Sequence, residues 1–163
     1  MRALAIASLL LLGSCGLRPV YVGGEGGSVV QTMRSISIAP IAGQSGWLVR
    51  TALEDRLGET GAGARYRLEV ELDDAITGYG IRSDDTVARE RRTLRARYRL
   101  VDSSQGTVVL DATAGSDAGI DVVSSEYATV AAEQTALERL SKEIADQIVA
   151  RVALFASRNG GEQ

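Results

Sequence analysis

Polar and apolar positions alternate most regularly between Tyr66 and Asp73. Tyr66, Leu68, Val70 and Leu72 fall on one side and Arg67, Glu69, Glu71 and Asp73 on the other. A period of two predicts a strand with one buried and one wet face. Thr93 to Val101 repeats the device with the opposite sign: Leu94, Ala96, Tyr98 and Leu100 alternate with Arg95, Arg97 and Arg99. The two segments are expected to pair as a hairpin that sets acidic against basic side chains on its outer face. Ile76 to Arg92, with Gly78, Gly80 and Asp84-Asp85, is expected to form a long polar tip. Gly106 to Thr113 reads as a further strand after the turn Asp102-Ser103-Ser104-Gln105-Gly106, and Met33 to Pro40 as a first one, with Ile36 and Ile38 on one face.

Helical spacing governs the rest. Ser45 is a candidate N-cap for a helix carrying Leu48, Ala52, Leu53 and Leu57 on one stripe, closed by Gly58. Trp47 at its start is expected to be a buried anchor. From Ser125 to about Ala156 no glycine or proline interrupts. Tyr127, Val130, Leu137, Leu140, Ile144, Ile148, Val152 and Phe155 line one face of a helix roughly 45 Å long. The order β-α-β-β-β-α predicts an α+β two-layer sandwich: a four-stranded, mostly antiparallel sheet, both helices on one face, charged rows on the other.

The N-terminus has a different pattern. Arg2 precedes the apolar run Ala3 to Leu12, whose helix rise of about 15 Å is half a bilayer core. That length fits a secretion signal rather than a spanning anchor. Leu12-Gly13-Ser14-Cys15 resembles the lipobox of bacterial lipoproteins, and Cys15 is the only cysteine in the chain. The expected organisation is a lipoprotein signal peptide over 1–14, a lipidated start and glycine-rich tether over 15–30, a folded domain over 31–157 and a disordered tail over 158–163. Cys15 is the expected lipid-attachment residue, and two or three acyl chains anchor a protein stably where one does not. By resemblance to proteobacterial sorting signals, Gly16 favours the outer membrane.

Composition narrows the chemistry. Eighteen basic against 21 acidic residues argue against a nucleic-acid binder. With no histidine, the commonest general base and metal ligand are missing; with a single cysteine, intrachain disulfides and thiolate metal cages are excluded. There is no G-x-S-x-G elbow, and the one lysine, Lys142, lies beside Ser141 on a helix and so on a different face. Asp73-Asp74 and Asp84-Asp85 read as solvated loop charges. No enzyme, cofactor or metal is expected.

Several stretches together resemble the LptE family of lipopolysaccharide-assembly lipoproteins. They are Cys15-Gly16-Leu17-Arg18-Pro19-Val20-Tyr21, then Ile38-Ala39-Pro40-Ile41 with Leu48-Val49-Arg50-Thr51-Ala52-Leu53. Arg92 to Leu100 ahead of the Asp102 turn is a third. Tyr127-Ala128, Ala131, Glu133, Ala136 and Ala145-Asp146-Gln147-Ile148 in the last helix complete the set. The resemblance implies a two-layer lipoprotein at the periplasmic face of the outer membrane. It would plug and help assemble the β-barrel protein LptD and assist lipopolysaccharide passage to the outer leaflet. A different class, an auxiliary lipoprotein of a periplasmic lipid-trafficking ABC transporter, fits the composition too. The glycine-rich stretch after Tyr21 departs from the family pattern.

Six arginines, Arg89, Arg91, Arg92, Arg95, Arg97 and Arg99, fall within eleven positions. Guanidinium groups match phosphate geometry with paired donors. Arg95, Arg97 and Arg99 are expected to pair with Glu69, Glu71 and Asp73 or with a barrel lumen. Arg89, Arg91 and Arg92, nearer the tip where acidic partners look fewer, and Arg82 are the candidate lipopolysaccharide contacts.

Overall fold

The computed structural model describes residues 27–58, 63–81 and 87–159. The expected signal, Cys15, most of the expected tether, Arg82, Asp84-Asp85 and 160–163 lie outside these. The described elements are α1 (Ser28–Arg34), β1 (Ile36–Ile38), α2 (Gly43–Leu57), β2 (Tyr66–Ile81), β3 (Val87–Asp102), β4 (Val108–Asp121) and α3 (Glu126–Asn159). They form the expected α+β two-layer sandwich, with the sheet in the order β1-β2-β3-β4.

Short β1 runs parallel to β2 across α2, pairing Ile36 with Tyr66 and Ile38 with Leu68. The other pairs are antiparallel. Val49, Leu53 and Leu57 of α2 and Leu137, Leu140, Ile144, Ile148 and Val152 of α3 close over Leu68, Leu94, Tyr98 and Leu100 of the sheet. Each fully buried aliphatic chain of this kind contributes about 1.5–3 kcal/mol. Tyr66 meets Phe155 edge to face at 5.9 Å.

The two long helices run in the same direction, because Gln44 bonds Gln134 and Arg56 bonds Asp146 at a constant offset of 90 residues. At the start of α2, Gly46 approaches the Ile41 carbonyl so closely that a Cβ there would lie 2.6 Å from the oxygen. Gly58, at φ +79°, ends the helix as expected. At the β3–β4 turn, Asp102 Oδ1 accepts from the backbone N–H and hydroxyl of Ser104 and the N–H of Gln105. These bonds, led by the Ser104 hydroxyl, hold its carboxyl below the ordinary range.

Five expectations need correction. Part of the expected first strand, and the end of the tether, is helix α1, which buries Val29 and Met33 and leaves β1 three residues. The hairpin strands do not stop at Asp73 and Thr93. They continue in register to Ile81↔Val87, which leaves 82–86 between them, and β4 runs on past Thr113 to Asp121. The glycines at 78 and 80 do not end β2, because each residue added to an antiparallel pair completes ladder bonds that outweigh weak intrinsic preference. Trp47 is 65% exposed, on the rim of a groove of about 170 Å³ between α2 and α3. Ala42 caps α2 without a side-chain bond, so Ser45 is not its N-cap. Tyr127 (86% exposed) and Val130 (55%) are not core, since α3 begins well before the part of it that α2 covers.

Candidate anion-binding face on the sheet

Alternation puts two chemistries on β3. Even-numbered positions from Leu94 to Leu100 face the helices, and odd ones from Arg91 to Arg99 face away. The expected facing of the acidic and basic rows is present, in a register where Glu69 opposes Arg99, Glu71 opposes Arg97, and Asp73 opposes Arg95.

The ion pairs follow that register only once. Arg99 reaches Glu69 at 3.3 Å and Glu71 at 3.7 Å. Arg97 turns instead to Asp111 of β4 at 3.0 Å, and Arg95 to Asp117 at 3.2 Å. Arginine is long enough to choose between flanking strands, and β4 supplies an aspartate on each diagonal. The Arg97 hydrogen bond holds the Asp111 carboxyl low, and the Thr93 hydroxyl followed by Arg95 does so for Asp117.

The candidate lipopolysaccharide contacts separate. Arg89 and Arg91 share the outward face. Arg89 pairs with Asp121 at 3.0 Å, both well exposed. Arg91 has no carboxylate within ion-pair distance among the described residues, and its guanidinium lies 5.3 Å from the centre of the Tyr79 ring. Arg92 has even parity and faces α3. It grips Asp74 through Nε and Nη2 and donates through Nη1 to the Glu133 carbonyl at 3.1 Å. Acidic partners near the tip are therefore not few: Asp121 and Asp74 come from strand extensions that the loop reading had hidden. Arg82, like Cys15, lies outside the described residues.

Tyr79 was missed for the same reason. Once β2 is extended, it sits opposite Arg89 and diagonal to Arg91, and its hydroxyl lies over Gly119, where a Cβ would be 3.6 Å away. Arg91 and Tyr79 thus form an exposed cation–aromatic pair. Such a pair presents guanidinium donors to an anion while the ring limits where they point. The described residues contain no acidic cluster arranged for a metal and no helix long and apolar enough to cross a membrane.

The profile described as "LptE: Lipopolysaccharide-assembly" matches residues 33–152. This chain belongs to the LptE family. Its fold is similar to that of a provisionally assigned lipoprotein of Caulobacter crescentus CB15, at 25% identity over 79% of this chain and 96% of that one, with a TM-score of 0.64. Rare lipoprotein B from Shewanella oneidensis gives 11% identity, coverage of 76% and 97%, and a TM-score of 0.61. Lipoprotein B from Nitrosomonas europaea gives 13%, coverage of 75% and 82%, and 0.58. The last two likenesses are of fold alone. No curated protein matches the chain.

Proposed function

We propose that this LptE-family chain is a lipid-anchored outer-membrane protein, attached through Cys15 on the periplasmic side. It plugs and helps assemble an LptD-type β-barrel and assists lipopolysaccharide transfer to the outer leaflet. It has no catalytic role. The observation that carries the lipopolysaccharide part is Arg91, a guanidinium on an outward sheet face with an aromatic neighbour and no described carboxylate partner. Its attraction to Asp117 is longer-ranged than an ion pair, so its donors stay open to a phosphate or an acidic sugar. The rest of the charged face neutralises itself through β3–β4 and β3–β2 ion pairs, which suits a surface enclosed by another protein better than one repelled by it.

Purification of the detergent-solubilised, full-length protein tests this reading. A large β-barrel should come down in near-equal amount, and depletion of the protein should lower surface lipopolysaccharide. Recovery of inner-membrane transporter subunits with no barrel would overturn it.

A further inference from the structure

Tyr98 is 2% exposed, on the helix-facing side of β3, yet its hydroxyl has no hydrogen-bond partner among the described residues. A buried tyrosine ordinarily gives that group a partner. Tyr98 instead lines an open groove of about 590 Å³ between β4 and α3. Burial pushes the hydroxyl above its ordinary range, and the positive charge of Arg151 pulls it back. The hydroxyl therefore stays protonated at neutral pH and able to donate.

Two further donors line the same groove. Arg151 stands one turn beyond Gln147 on the same face of α3. It is exposed and makes no ion pair or hydrogen bond among the described residues. Thr113 contributes backbone. Its neighbour Gly115 donates its N–H to Gln147 Oε1 at 3.2 Å, and the Gly115 carbonyl accepts from Nε2 at 3.1 Å, both on the open side of β4. Alternate residues of an antiparallel ladder direct their bonds to the same side. The register is unbroken from Gly115 to Thr113, so the Thr113 N–H opens there as well. No aspartate or glutamate lines the groove, and Asp111 is held on the other face of the sheet by Arg97. Ala112, Ala150 and the half-exposed Leu154 complete the lining.

We propose that this groove binds an oxyanion, a carboxylate or a phosphate ester, carried on a short apolar chain. A guanidinium, a phenolic hydroxyl and a backbone N–H are offered together with no acid beside them. That set suits a group that accepts hydrogen bonds from several directions. The three alkyl side chains suit the apolar body behind it. The site is separate from the Arg91 face and does not rest on the barrel reading. Tyr98 lies seven residues from Arg91 along β3, roughly 23 Å, and on the opposite side of the sheet.

The probes are butyl phosphate and butyrate, short enough to stay out of micelles. Each is titrated into the full-length protein in detergent and followed through the amide resonance of Thr113. Both should bind, and butan-1-ol should not. The tighter of the two tells a phosphorylated ligand from a carboxylic one. Arg151→Gln breaks no described contact and should weaken the anions about tenfold, the worth of one charge-assisted bond. Tyr98→Phe keeps the ring and should weaken them severalfold, whereas Arg91→Glu should leave the titration unchanged. Equal affinity of Arg151→Gln and the parent chain, butan-1-ol binding as tightly as the anions, or an unmoved Thr113 resonance would each overturn the proposal.

Discussion

Arg92 and Asp74 form a two-point ion pair, Nε to Oδ1 at 2.8 Å and Nη2 to Oδ2 at 2.7 Å, on the helix-facing side of the sheet. Both side chains are largely shielded, at 13% and 20% exposure. Removing one partner strands the other charge, and Arg92 also anchors β3 to α3 through Glu133. Arg92→Ala should therefore cost about 2–4 kcal/mol in urea unfolding, whereas Arg92→Lys retains the charge but not the paired geometry and should fall between.

Arg91 should behave differently. Arg91→Glu is expected to weaken binding to purified lipopolysaccharide about tenfold with an unchanged melting temperature, because it breaks no described ion pair and loses one exposed contact. Tyr79→Ala should weaken binding less. Unaltered binding by Arg91→Glu would remove this residue as a contact. Arg92→Glu is a poor probe, since a second carboxylate beside Asp74 disrupts the fold first.

Gly46→Ala should destabilise the chain by about 1–3 kcal/mol, as overpacking does. The added methyl would stand 2.6 Å from a backbone oxygen rather than from a movable side chain. Gly115→Ala is the control, because there the neighbour is the flexible Arg95, which can swing away. Equal melting temperatures for the two variants would contradict this difference.

Glu90 gives the pH dependence an unusual sign. Burial, and then the Glu133 carboxylate, push its carboxyl above the ordinary range, and its Oε2 has no hydrogen-bond partner. The folded chain holds that proton more tightly than the unfolded one. The contribution is complete below the unfolded pKa and disappears as pH rises through the folded value. Asp146, held low by Arg56, acts in reverse: its contribution is present above the unfolded pKa and lost as pH falls through the folded one. Glu90→Gln should raise the urea midpoint at neutral pH and leave the acid limb unchanged, while Asp146→Asn should flatten the acid limb. An unshifted neutral midpoint in Glu90→Gln would rule out the Glu90 effect.

The centres of the elements were legible because burial there is one-sided. Leu68 and Val70, or Leu140 and Ile144, have one face to hide, and their spacing says which. Ends were not, because the features that decide them are remote in sequence. Ile81 is strand because Val87 lies opposite, not because Gly80 favours it. Tyr127 and Val130 continue an apolar stripe past the last residue that covers it. Trp47 was misplaced because bulk predicts burial only on average. At the candidate face, the guanidinium groups were visible as a run, but their partners depended on how far β2 and β4 extend. The loop reading therefore grouped Arg91 with Arg92, which the pleat sends to opposite sides.

The common direction of α2 and α3 bears on how the chain folds. β2, β3 and β4 are sequential neighbours and can pair early, whereas Gln44–Gln134 and Arg56–Asp146 each wait for a segment made 90 residues later. Such non-local contacts bear the loop-closure entropy and slow the rate-limiting step. Until α3 is synthesised and docked, Leu94, Tyr98 and Leu100 remain wet, so a chain truncated before Ala136 should be aggregation-prone rather than half-folded.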